Sequence, residues 1–255
     1  MEYTKYINTK RIPIDLFLTV NLAGNDDVFI KVTDAQYPNI IILTRLIKNT
    51  RNIVNYHLPL PLTPENDLKI SIVTNNYPVT FFDYNAKLLN KNMLWVSKES
   101  KELIDNLLYV AYYLPYLDNG KINLSSGAVI SIQNNINNST PAQVNRKYGI
   151  FRIDKPRMLN YNVNMRVYIL LHELCHFEVP SSNEVCADNC ALKHYLDLGF
   201  SQRESVFLMK NLFKKNDNER FKNFVKSLVQ YNLGSYINFC SNVQEDLPRH
   251  RARYF

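Results

Sequence analysis

His172-Glu173-Leu174-Cys175-His176, followed six residues later by Asn183-Glu184-Val185-Cys186-Ala187-Asp188, is the stretch on which the reading of this 255-residue chain turns. Two histidines four apart share one face of a helix, so both imidazoles can reach one metal ion. Glu173 points slightly aside, where it can take a proton from a water that the metal acidifies. Val167, Leu170, Leu171 and Leu174 give a helix from about Asn164 to Val179 its buried face, and Pro180 stops it. A second helix, from about Asn183 to Leu198 and closed by Gly199, follows after a tight turn. In an antiparallel pair with so short a connection, positions whose numbers sum to about 360 face each other. His176 then meets Glu184, and His172 meets Asp188. Two imidazoles and one carboxylate are three protein donors, leaving a fourth position open, the pattern of catalytic zinc. With Glu184 as the third donor, Asp188 would accept the outer N–H of His172 and fix its tautomer. Ser181-x-x-Glu184 also reads as a capping box, which would turn Glu184 back onto the helix start. Two histidines and a glutamate are costly to bury in an apolar helix without partners, and this favours the metal.

These residues resemble the gluzincin metallopeptidases, whose H-E-x-x-H helix is followed by a helix with an N-E-x-x-[SA]-D segment. Asn183-Glu184-Val185-Cys186-Ala187-Asp188 matches that segment. The resemblance spans roughly residues 150–200. It implies Zn2+ held by His172, His176 and Glu184, with Glu173 as general base and Asp188 bonded to His172. The implied activity is peptide-bond hydrolysis through a metal-activated water, on a peptide or protein substrate. This chain departs from the pattern in having only seven residues between His176 and Glu184. That leaves little of the usual substrate-binding insertion and keeps Asp188 as the alternative ligand. An oxyanion donor is also needed; Tyr161, Tyr168, His194 and Tyr195 lie nearby in sequence, with nothing to choose among them. The short H-E-x-x-H…E-x-x-x-D arrangement is similar to bacteriophage proteins as well. This second resemblance implies a tail or neck-ring subunit that uses a zincin-like fold for assembly.

A hydrophobic fraction of 46% and a charged fraction of 21% are those of a soluble globular protein. The net charge of +7 is spread without a long basic run before the C-terminus, so nucleic acid is not an expected partner. The N-terminus lacks an apolar run of signal-peptide length, and no segment reaches membrane-spanning length. Synthesis in a cytoplasm is expected, with assembly into a phage virion under the structural reading. The four cysteines, Cys175, Cys186, Cys190 and Cys240, form no C-x-x-C pair; three crowd the metal motif, which makes thiolate ligation an alternative, but free, buried thiols in a reducing compartment are the preferred reading. Cys190 and His194, four apart, read as core packing in preference to a second metal site.

Residues 1–90 read as an all-β module, a sandwich or small barrel of six short strands: Asp15–Leu22, Val28–Thr33, Ile40–Leu46, Asn52–Leu58, Leu68–Thr74 and Val79–Asp83. Gly24-Asn25-Asp26 reads as a hairpin turn between the first two. His57 reads as a packing residue. Residues 91–255 read as a mostly helical zincin-like domain, making the whole chain α+β. It opens with a helix from Ser97 to Leu114, followed by strands at Val129–Ile132 and Ile150–Ile153. The motif helices come next, then a helix capped by Ser201-Gln202-Arg203-Glu204 and one over Glu219–Tyr231. In the basic tail, Arg249, Arg251 and Arg253 stand beside Tyr254 and Phe255, residue types enriched at interface anchors. The tail is expected to contact another chain in a homo-oligomer or virion.

Overall fold

A computed structural model describes residues 1–50, 53–89, 98–136, 140–178, 183–212 and 218–232. The chain is α+β, with antiparallel sheets first and helices after. It divides into two compact units. One comprises Met1–Asn92 with Asn162–Asn164 and Leu198–Ser201; the other comprises Met93–Tyr161, Met165–Asp197 and Gln202–Phe255.

The first unit holds β1 (Glu2–Asn8), β2 (Ile14–Leu22), β3 (Asp26–Asp34), β4 (Ile41–Thr50), β5 (Ile53–Leu60), β6 (Asp67–Thr74) and β7 (Val79–Leu88). They form two sheets, ordered β1-β6-β3-β4 and β5-β2-β7, with every pairing antiparallel. Alternate residues are buried, as a half-covered pleated sheet demands. Leu16, Leu18 and Val20 of β2 and Val28, Ile30 and Val32 of β3 are almost fully enclosed. All six expected strands are present, and β1 is a seventh. Pro59 lies within β5, which tolerates it as an edge strand.

One local expectation fails in this unit. Gly24-Asn25-Asp26 is not a hairpin turn, because β2 and β3 belong to different sheets. The segment instead passes the chain between sheets, held by the buried carboxylate of Asp26. That carboxylate accepts the backbone N–H groups of Asn75, Asn76 and Tyr77 at 2.6–3.1 Å. A Cβ at Gly24 would lie 2.6 Å from the exposed Tyr77 ring, so any larger residue there must displace that ring. His57 is a packing residue as expected, though at the surface. It is exposed, stacked on Phe17 with ring centroids 4.4 Å apart, and hydrogen-bonded to Asp15.

The Asp26 bonds, that from Asn76 foremost, hold its pKa at about 2 against an ordinary 3.8. A depressed carboxylate stabilises the fold above its unfolded pKa and loses that contribution as pH falls toward the folded value. Urea unfolding of wild type and Asp26→Asn should therefore show a stability gap that is constant from pH 7 to about 4. The gap should close between about pH 4 and 2. A gap independent of pH would show that the ionised carboxylate does not stabilise this connection.

The second unit begins with α1 (Lys98–Tyr113), which ends in a 3-10 turn, Leu114–Tyr116, carrying Pro115. A four-stranded sheet follows, of β8 (Gly120–Asn123), β9 (Val129–Gln133), β10 (Ala142–Asn145) and β11 (Ile150–Asp154), in the order β10-β11-β9-β8. Strand β11 runs parallel to β9, while β10 and β8 are antiparallel edges. The sequence led us to expect only β9 and β11, so this unit is less purely helical than anticipated. After the short α2 (Lys155–Met158) come α3 (Val163–Glu178), α4 (Glu184–Asp197), α5 (Gln202–Leu212) and α6 (Asn218–Asn232). Helix α3 is buried nearly all round, with Val163, Val167, Leu170, Leu171 and Leu174 as its apolar core and Asn164, Arg166 and His176 among its enclosed polar side chains. It is tied to α1 by the buried Arg166, whose guanidinium donates to the Ala111 and Tyr161 carbonyls at 3.0 and 2.8 Å. Burial lowers the Arg166 pKa to about 10. Helix α4 closes at Gly199, whose φ of +91° is the left-handed conformation of a C-terminal cap. Among the described residues no helix is long and apolar enough to cross a membrane.

Candidate metal centre

The local sequence sets where α4 begins. Asn183 accepts the N–H groups of Val185 and Cys186 at 2.9 and 3.3 Å, which makes it the N-cap. Glu184 is therefore the first helical residue, and its carboxylate turns toward α3. The capping-box reading of Glu184 involves Ser181, which lies outside the described residues; both Glu184 oxygens lie on the two histidines.

His172, His176 and Glu184 converge on one point. His172 Nε2 is 3.1 Å from His176 Nε2 and 3.2 Å from Glu184 Oε2, and His176 Nε2 is 3.4 Å from Glu184 Oε1. Donors about 2.0–2.1 Å from a tetrahedral zinc are roughly 3.3–3.4 Å from one another. The separations, each ring measured to its own oxygen of Glu184, fall near that spacing, and two imidazoles with a carboxylate are a donor set that suits a divalent metal. These residues could hold one.

Asp188 stands behind the triangle. Its Oδ1 accepts from His172 Nδ1 at 2.9 Å, leaving Nε2 directed at the donor triangle. The antiparallel register read from the sequence is thus reproduced, and the geometry separates the two carboxylates. Glu184 faces the inner nitrogens and Asp188 the outer one. Asp188 is itself held on three sides. Arg220 of α6 donates Nε and Nη2 to its two oxygens, each at 2.8 Å, and the buried Tyr168 hydroxyl donates to its backbone carbonyl at 3.1 Å. Arg220 Nη2 also comes within 3.4 Å of Glu184 Oε2.

Glu173 lies beside this group and accepts the Val144 N–H of β10 at 2.9 Å. Burial raises its pKa, opposed by the charges of His172 and His176. Burial alone would lower the His172 pKa. Hydrogen bonds to Asp188 and Glu184 outweigh it and carry the value up to about 9. The His172 contact, with that of His176, holds Glu184 below the usual carboxylate range. These directions belong to the arrangement without a metal, in which proton and carboxylate neutralise each other.

Of the four side chains considered as oxyanion donors, Tyr168 serves Asp188, and His194 bonds Glu178 at 2.9 Å. Tyr195 is buried against Tyr168, and Tyr161 contributes a carbonyl to Arg166. The sequence reading missed two arginines. Arg220 is one; Arg146, following β10, is the other, with Nη2 3.3 Å from His176 Nδ1. Neither lies near the motif in sequence, and basic residues at unremarkable spacing gave no signal.

No protein-family model and no curated protein matches the chain.

One cysteine expectation is corrected. Cys175 of α3 and Cys190 of α4 are joined as a disulfide with Cα atoms 5.8 Å apart, whereas Cys186 is a free, buried thiol as expected. The helices pack closely enough for the two sulfurs to meet, which spacing along the chain does not reveal. Pro180, Ser181, Cys240 and the tail 248–255 lie outside the described residues.

Asp188→Asn should weaken zinc binding about 10–100-fold, the usual cost of losing a partner that orients a ligating histidine. The far-ultraviolet spectrum should not change. Competition with a chromophoric chelator measures the affinity, and an unchanged value would show that Asp188 does not act through His172.

Proposed function

We propose that this protein is a zinc-dependent peptidase built on a minimal helix-pair metal site. The observation that carries the reading is the triangle of His172, His176 and Glu184 donor atoms with Glu173 adjoining it. His172, His176 and Glu184 would hold the ion, which when bound would polarise a scissile carbonyl and bring the pKa of a water toward ~7. Glu173 takes the proton of the attacking water and delivers it to the leaving amine. Its partial burial favours that work, because a carboxylate with a raised pKa is both a stronger base and a readier donor. With the ion bound, Asp188 would hold the remaining proton of His172 on its outer nitrogen, and Arg220 holds the Asp188 carboxylate in position.

A peptide is the substrate class favoured by the setting. Strand β10 is an edge strand, and the Val144 N–H points away from β11 toward Glu173. Its outer side therefore borders the site, and an extended peptide can lie alongside such an edge by strand addition.

The test is incubation of zinc-loaded protein with a fluorogenic peptide library and an unfolded protein. New amino termini should appear, vanish with chelator and return with zinc. Full zinc occupancy without cleavage of any member would overturn the peptidase assignment.

A further inference from the structure

The helix pair carries a second convergence of metal-binding side chains that the proposed peptidase chemistry does not use. Cys175 and Glu178 of α3 and Cys190 and His194 of α4 bring two sulfurs, an imidazole nitrogen and a carboxylate oxygen within 4.8 Å of one another. At about 100° per residue, these positions lie roughly 100° around each helix axis from His172, His176, Glu184 and Asp188. The two clusters thus flank opposite sides of the α3–α4 seam.

A disulfide alone has no need of the other two groups. Yet His194, buried to 8% exposure, directs Nε2 at Glu178 Oε2, 2.9 Å away, next to the sulfurs. Two thiolates, one imidazole and one carboxylate complete a tetrahedral set for zinc with no position left for water. Thiolate ligands also select zinc over the hard cations.

We propose that Cys175, Cys190, His194 and Glu178 form a second, structural zinc site that the Cys175–Cys190 disulfide closes. A dithiol reductant supplies two electrons and two protons. The S–S bond breaks, two thiols form, and the reductant leaves as its own disulfide. Zinc then binds both sulfurs with release of their two protons, while His194 and Glu178 exchange their mutual hydrogen bond for the metal. Either state links α3 to α4, one by a covalent bond and the other by coordination.

The test uses full-length protein in a Cys240→Ser background, reduced with a dithiol that is then removed without air, or left oxidised. Each form is titrated with Co2+, and the thiolate-to-cobalt charge-transfer band is recorded. That band reports sulfur ligation only, so it is independent of the histidine triangle. The reduced form should bind two equivalents and show the band; the oxidised form should bind one and lack it. His194→Gln should lower cobalt affinity at the band-bearing site at least tenfold, and His172→Ala with His176→Ala should leave the band intact. Absence of the band in reduced, folded protein, or a band insensitive to His194→Gln, would overturn the proposal and leave a simple disulfide. Because Cys175→Ser risks unfolding a buried position, the redox comparison on unmutated sulfurs carries the decision.

Discussion

Glu173→Gln should retain zinc at the histidine triangle and lose about 10²–10⁴-fold in peptide turnover, the range for removing a general acid–base group. Glutamine has nearly the shape of glutamate, and its amide oxygen can still accept the Val144 N–H that now reaches Glu173 at 2.9 Å. What it lacks is a site that takes up a proton. The loss should fall on kcat with little change in KM, since the side chain acts on the reacting water and not on ground-state binding. Steady-state kinetics with a peptide found in the library screen, alongside metal analysis of the same sample, would read both halves. Equal turnover in variant and wild type would remove Glu173 from the mechanism.

The second large effect is expected at the metal itself. His176→Ala deletes one corner of the triangle, leaving His172 and Glu184 as a two-donor site that cannot hold a zinc in place. Affinity should fall well beyond the ~10–100-fold expected for an outer partner such as Asp188, and activity should go with it. The measurement belongs on the oxidised protein, so that the Cys175–Cys190 pair binds nothing. Metal content after gel filtration gives the answer, with circular dichroism as the check on folding, since His176 is only 5% exposed. Glu184→Gln, at a half-exposed side chain, gives the same test with less risk to the core. Stoichiometric zinc in both variants would mean that the triangle is not the site.

The sequence made the donor triangle legible because helical periodicity and a tight antiparallel connection together fix which side chains meet. His172, His176, Glu184 and Asp188 all follow from those two rules. What it could not show comes from farther along the chain. Val144 reaches Glu173 from a four-residue strand, Ala-Gln-Val-Asn, too short and too polar to announce itself. Arg220 arrives from α6, and no local pattern marks a cation that will pair with a buried aspartate. Strand β1 was missed for a related reason: its burial alternates, but the inward positions are Tyr3, Lys5 and Ile7, so the apolar run that reveals β2 and β3 is absent. The Gly24 segment was misread because a turn signal gives the bend without saying which strand the chain joins next. Cys175 and Cys190 were misread because they meet through packing between helices, which sequence spacing does not encode.

All three donors of the triangle lie between His172 and Glu184 on consecutive helices, and this bears on the order in which the molecule is made. The entropy of closing a chain segment grows only with the logarithm of its length, so a ring this small is among the least costly to form. A nascent chain that has just completed the start of α4 already holds every group needed to grip an ion. Nothing from α5 or α6 is required. An ion captured then would cross-link the hairpin before Arg220 has been synthesised, and binding energy would act as folding energy from that moment. Arg220 then arrives as a late clasp, locking Asp188 over a centre that is already assembled.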